Sequence, residues 1–130
     1  MSKTTKTILM IEDDLEQLKM YGFAFEKAGY RFLKGPNKLE GFNMAKKEKP
    51  DLILLDLLLN GFDARKGGID VLVKLKEDKE TADIPIVIFT NYSKDEVLRD
   101  SRTLGAKEVI IKVDITPNEL VKRMVERYLL

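Results

Sequence analysis

PDLILLDLLL, residues Pro50 to Leu59, sets an unbroken apolar run, Leu52 to Leu55, directly against a carboxylate, Asp56. A run of that kind suits a strand covered on both faces, as in a parallel sheet with helices above and below. Pro50 ends whatever helix precedes it, because its ring clashes with the preceding turn and it has no amide hydrogen to donate. A carboxylate at the carboxyl end of a buried strand lies where open α/β sheets form their ligand crevice. Alone, Asp56 reads more simply as a helix cap or a loop acid; its meaning depends on how the other strands end.

Three further apolar runs end in polar groups of distinct chemistry. Thr7 to Ile11 reads as a short buried strand and runs into Glu12, Asp13 and Asp14. Ile84 to Thr90, IPIVIFT, ends in a hydroxyl, and Glu108 to Lys112, EVIIK, ends in an ammonium. Tyr30 to Lys34 is more polar and reads as a strand nearer an edge. Between these runs lie helical patterns. Leu15, Leu18, Gly22, Phe25 and Ala28 recur at helical spacing, with Gly29 as the stop. Asn37 and Glu40 have capping-box spacing for a helix to about Glu48, and Ser93 and Glu96 for one to about Leu104, closed by Gly105. Ile69 to Lys76 fits a short helix. Thr116, Pro117 and Glu119 open a last helix that presents Leu120, Val121, Met124, Val125 and Tyr128 to a core.

Strand and helix thus alternate five times, which predicts an α/β fold: a doubly wound five-stranded parallel sheet in a three-layer sandwich, order 2-1-3-4-5. The longest irregular stretch is Leu57 to Gly68, with Asn60-Gly61 and Gly67-Gly68 as turn signals. Residues 1–6 are polar and expected to be flexible, leaving 7–130 as one domain. The chain of 130 residues has no room for a second domain.

Composition removes several function classes. Hydrophobic content of 44% and charge of 35% describe a folded, soluble chain. A net charge of +1 argues against direct nucleic-acid binding or a membrane surface. Without cysteine or histidine there is no disulfide, no thiolate or imidazole metal site, and no histidine-dependent triad. No apolar run is long enough to cross a bilayer, and the amino-terminal apolar stretch is too short for a signal peptide, so a cytoplasmic location is expected.

In the expected fold all strand ends share one rim, which gathers Glu12, Asp13, Asp56, Thr90 and Lys112. Clustered carboxylates repel and need a counter-charge. A hard divalent cation such as Mg2+ suits oxygen donors, and Lys112 supplies a second positive charge. Acids, a hydroxyl and an ammonium around one carboxylate suit phosphoryl transfer onto that carboxylate. Each group alone has an ordinary explanation: helix-favouring acids, a strand-end threonine, a solvated lysine. Their joint occurrence at four strand ends is what carries the reading.

On these residues the sequence resembles the receiver domain of two-component response regulators, the CheY-like fold, from about Thr7 to Leu130. The resemblance implies that ILMIEDD provides Glu12 and Asp13 for the metal. It implies that PDLILLDLLL provides Asp56 as phosphoacceptor and the Leu58 backbone carbonyl as a further metal ligand. By the same resemblance IPIVIFT provides Thr90 as the switch hydroxyl, and GAKEVIIK provides Lys112 as the phosphate-binding lysine. The implied protein is a signalling phosphoacceptor, not an enzyme. With Mg2+ it takes a phosphoryl group from a histidine kinase or phosphotransfer protein, loses it by self-dephosphorylation, and signals through contacts with a downstream protein, as a monomer or weak dimer without its own effector domain. Four features depart from the family pattern: Asn91 after Thr90, which is expected to narrow access to the phosphate; Val113 after Lys112, where proline and its cis peptide are usual; Val109 at the usual switch aromatic; and the long 57–68 loop. Leu58 and Tyr92, two residues beyond Asp56 and Thr90, are bulky, which predicts slow phosphate loss.

Two other classes compete. A phosphorylation-independent receiver-like interaction module would suit the departures but leaves five polar site residues without a purpose. A magnesium-dependent phosphohydrolase or nuclease would also use strand-end acids. It is disfavoured because Asp56 is the only acid at the third strand's end and there is no basic excess.

Overall fold

The computed structural model describes residues 5–130. The expected flexible segment 1–6 therefore lies mostly outside the described residues, and Thr5 and Lys6 are exposed coil. Among the described residues the strands are β1 (Thr7–Ile11), β2 (Arg31–Gly35), β3 (Leu52–Leu55), β4 (Ile86–Thr90) and β5 (Glu108–Ile111). All neighbours are parallel, in the order β2-β1-β3-β4-β5. The helices are α1 (Leu15–Lys27), α2 (Lys38–Glu48), α3 (Asp70–Glu77), α4 (Asp95–Thr103) and α5 (Pro117–Met124). The expected sheet, its order and its three layers are what the structure has.

The alternating faces of each strand build two cores. Ile8, Met10, Leu52, Leu54, Val87, Phe89 and Ile110 pack against α1 and α5 through Leu18, Tyr21, Phe25, Leu120 and Met124. Leu9, Ile11, Ile53, Leu55, Ile86 and Ile88 face the opposite way and pack against Ala45 of α2, Leu72 and Leu75 of α3, and Val97 of α4. The central strands read as continuous apolar runs because both of their faces are buried. Removing several such side chains from water is the main favourable contribution to this fold.

Caps fix where the helices start. Asp14 accepts from Glu16 N–H and Gln17 N–H to open α1. Thr116 and Glu119 form the expected capping box of α5, with Pro117 in its first turn. The expected cap at Ser93 does not form. Tyr92 N–H donates to Thr90 Oγ1 and holds the chain in a turn, and α4 begins after Lys94 without a side-chain cap. Leu15 and Ala28 are not core residues. Leu15 stands in the first turn of α1 and is 67% exposed, while Tyr21 and Ala24 take the buried face.

The stretch 57–68 is not irregular throughout. Asn60 and Gly61 make the expected turn with φ of 52° and 78°. From Arg65 the chain winds through a π-helical turn, Arg65–Ile69, that is kinked at Gly67, where φ is −90° and ψ −106°, and passes into α3. Gly67 and Gly68 are buried there and are not loop-tip residues. Gly68 N–H donates to Leu57 C=O at 2.8 Å, and a Cβ on Gly68 would lie 2.3 Å from the Asp56 carbonyl oxygen. The two glycines let the insertion fold back onto the end of β3. No cis peptide bond occurs among the described residues. No helix among them is long and apolar enough to cross a membrane.

Candidate functional site

Strand register dictates which side chains meet. Ile11 pairs with Leu55 across β1 and β3, and Thr90 pairs with Ile111 across β4 and β5. Asp56 N–H continues the ladder by donating to Ile11 C=O at 3.1 Å. The next residues on β1, β3 and β5 are Glu12, Asp56 and Lys112, so all three leave the sheet on one rim beside Thr90.

Asp56 is 7% exposed, and both of its carboxylate oxygens are engaged. Oδ1 accepts from Thr90 Oγ1 at 2.6 Å and from Leu58 N–H at 3.1 Å. Oδ2 accepts from Lys112 Nζ at 2.8 Å. Because the Thr90 oxygen also accepts from Tyr92 N–H, its own hydrogen is free to point at Asp56. Lys112 uses its three donors on Asp56, on Glu12 Oε1 and on Gln17 Oε1, the last at 2.6 Å. Charge-assisted bonds of this kind are the stronger class, and a buried ammonium left without them would be costly.

Charge at the site is unbalanced. Burial pushes the Glu12 carboxyl up to about 7, with the neighbouring Asp56 charge adding to the rise and Lys112 opposing it. Burial alone would lower the Lys112 ammonium, yet Asp56 and Glu12 together raise it above its ordinary value. Asp13 stands apart from this cluster: it is exposed, and its Oδ2 accepts from Asn60 N–H at 2.9 Å. Among the described residues no three acidic side chains converge in a metal-holding arrangement. Lys112 draws Glu12 and Asp56 together, while Asp13 is turned to the loop after β3. The side-chain acceptors on this rim are nevertheless all oxygen, and the carboxylates of Glu12 and Asp56 face the Lys112 ammonium with Asp13 at the margin, an excess of negative charge that a hard divalent cation satisfies.

The structure therefore gathers Glu12, Asp56, Thr90 and Lys112 into one hydrogen-bonded group and leaves Asp13 at its margin. Leu58 contributes its N–H to Asp56, and its side chain is 42% exposed. Tyr92 does not stand free at the mouth; its ring packs into the α2–α4 side core. Two participants were not legible in the sequence. Gln17 reaches Lys112 from α1, and Asn91 Oδ1 accepts from Val113 N–H at 3.0 Å, joining the loops after β4 and β5. The sequence signal for Gln17 is only its place one turn after the acids. For Asn91 it is that both it and its partner depart from the family pattern.

Residues 8–125 match the family model described as response regulator receiver domain. Over 119 residues the chain is 36% identical to the phosphate regulon transcriptional regulatory protein PhoB of Pseudomonas aeruginosa, covering 92% of this chain and 50% of that protein. It thus spans about half the length of that relative. It is 32% identical over 99 residues to sporulation initiation phosphotransferase F of Bacillus subtilis, covering 76% of this chain and 75% of that protein. The crystal structure of a CheY-like response regulator receiver domain protein from Methanospirillum hungatei JF-1 superposes with a TM-score of 0.84 at 24% identity, covering 95% of this chain and 94% of that one.

Proposed function

Because the chain belongs to the response regulator receiver domain family, we propose that residues 7–130 act as one receiver and that Asp56 accepts a phosphoryl group from a phosphohistidine of a histidine kinase or phosphotransfer protein. Receiver domains are signalling phosphoacceptors of two-component systems and bind Mg2+ in general. The finer assignment to Asp56 rests on one observation: a buried carboxylate whose two oxygens are held by Thr90 and Lys112.

In the proposed step a carboxylate oxygen of Asp56 attacks phosphorus. The phosphorus–nitrogen bond breaks, and the imidazole leaves with its electron pair. Lys112 already sits beside Asp56 with its charge oriented, so it can follow the negative charge onto the phosphoryl oxygens without prior reorganisation. Thr90 can turn its hydroxyl from Asp56 to a phosphoryl oxygen, and the loop after β4 would move with it. Glu12, Asp13, Asp56 and the Leu58 carbonyl oxygen are the groups that would hold Mg2+. When bound, it neutralises charge on the transferring group. Water later returns the carboxylate and releases phosphate. Output then passes to a downstream protein through population shift of the faces next to Thr90 and Lys112, in the cytoplasm and without direct nucleic-acid contact.

The test is incubation with acetyl phosphate and Mg2+ followed by intact mass. The expected result is a gain of one phosphoryl group in the wild type and none in Asp56→Asn. No gain in the wild type under conditions that load another receiver would favour an interaction module that works without phosphorylation.

A further inference from the structure

Thr90 and Lys112 hold opposite oxygens of Asp56, yet they stand at the ends of different strands: Thr90 leads into the loop before α4, and Lys112 opens the loop before α5 with a short 3-10 turn, Lys112–Asp114. Thr90 ends β4 and continues into Asn91; Lys112 follows β5 and continues into Val113. The two loops are joined by one side-chain bond. Val113 N–H donates to Asn91 Oδ1 at 3.0 Å. Only an acceptor can face that N–H, which fixes the orientation of the Asn91 amide. The bond needs a residue other than proline at 113 and a side-chain acceptor of sufficient reach at 91. Proline at 113 would have no hydrogen to donate, and a small residue at 91 could not reach. Asn91 and Val113, unrelated oddities in the sequence, are therefore one structural feature.

Resting on the proposed transfer to Asp56, we infer that Asn91 is a positioning residue: tied to Val113 N–H, it holds the loops that carry Thr90 and Lys112 at a fixed separation. Both donors then face the phosphoryl group as it moves onto Asp56. Preorganised donors lower a barrier because they need no reorientation while charge moves, and small displacements of them cost rate. Gln17 and Glu12 anchor the far side of Lys112, whereas among the described residues the Thr90 hydroxyl is held, apart from Asp56, only by the Tyr92 backbone N–H. Loss of the strap should therefore be felt mainly through Thr90.

The test measures phosphorylation of Asp56 over a concentration series of acetyl phosphate with Mg2+. In that reaction the phosphorus–oxygen bond of the donor breaks, acetate departs with the electron pair, and a bond forms to the Asp56 carboxylate. The variants are Asn91→Ala, Asn91→Leu and Val113→Pro; leucine preserves bulk but cannot accept. Each is expected to lower the saturating rate about fivefold, the equivalent of one exposed hydrogen bond, with half-saturation unchanged. Asn91→Leu combined with Val113→Pro is expected to be no slower than either alone, because both remove the same bond. Melting curves identify any variant that is simply unfolded, and the remaining variants then decide. Unchanged rates, additive losses, or a rate that rises in Asn91→Ala but not in Asn91→Leu would overturn the inference, the last because it marks Asn91 as a cover and not a strap. Failure of the wild type to take up phosphate would overturn the proposed function, and this inference with it; normal uptake with indifferent variants overturns this inference alone.

Discussion

Glu12 is buried at 3% exposure beside Asp56, with Lys112 shared between them. Its carboxyl is raised from 4.5 to about 7, so the folded state binds its proton more tightly than the unfolded chain does. The stabilisation from that proton is complete below pH 4.5 and disappears as pH rises through about 7. In buffer with a chelator, urea unfolding should show this contribution falling across that window in the wild type. Glu12→Gln, which cannot ionise, should lack it. A wild type whose stability rises over the same window as steeply as that of the variant would contradict the assignment. Leu58 carries the second prediction at this scale. Its exposed apolar side chain offers attacking water no hydrogen bond. Leu58→Asn should speed loss of phosphate from phosphorylated protein about tenfold, the effect of one well-placed hydrogen bond. Radiolabel or mass decay measures it, and an unchanged decay would count against water positioning at this residue.

Elements show where local signals sufficed and where they did not. The α5 start was legible because a cap, a proline and an acid act within four residues of chain. The α4 start was misread because Thr90, needed at the site, takes Tyr92 N–H and displaces the helix start beyond Ser93. Gly67 and Gly68 look like a turn in sequence but serve close approach: the π-helical turn lies directly on the backbone at Asp56 and Leu57. Gly68→Ala should therefore destabilise the protein by about 1–3 kcal/mol, the usual cost of overpacking, as read by urea denaturation. Gly61→Ala, where a Cβ meets nothing within 4 Å but φ is 78°, should act through backbone strain alone and leave the Asp56 site undisturbed. The same insertion sends Arg65 to Asp100 of α4 at 2.7 Å, so it bridges the loop after β3 to the helix that follows β4.

At the scale of the whole molecule, the rim carries Glu12, Asp13 and Asp56 against one neighbouring ammonium. A ligand that binds only the folded state stabilises it by about 2.7 kcal/mol at a hundredfold excess over Kd. Mg2+ at such an excess should raise the thermal midpoint by several degrees. Asp13→Asn should diminish the gain while leaving the metal-free midpoint nearly unchanged, since Asp13 is exposed and makes one backbone contact. Calorimetry with and without the cation checks it; an equal gain in the variant would remove Asp13 from the metal set.

Strand order and the two-sided core follow from the sequence by itself. Alternation of apolar runs with helical patterns, right-handed crossovers and a shared rim leave little freedom once burial on both faces is required. The same logic brings residues 12, 56, 90 and 112 near one another, because each follows or ends a strand in a parallel sheet. Only the tertiary structure decided which atoms meet. Lys112 shares its ammonium among Asp56, Glu12 and Gln17, Asp13 turns away to Asn60, and Asn91 finds Val113. Those pairings depend on register, loop course and helix phase over separations of up to 100 residues. No periodicity along the chain encodes them, because a hydrogen bond is chosen by a few tenths of an ångström and a hydrophobic pattern only by a face.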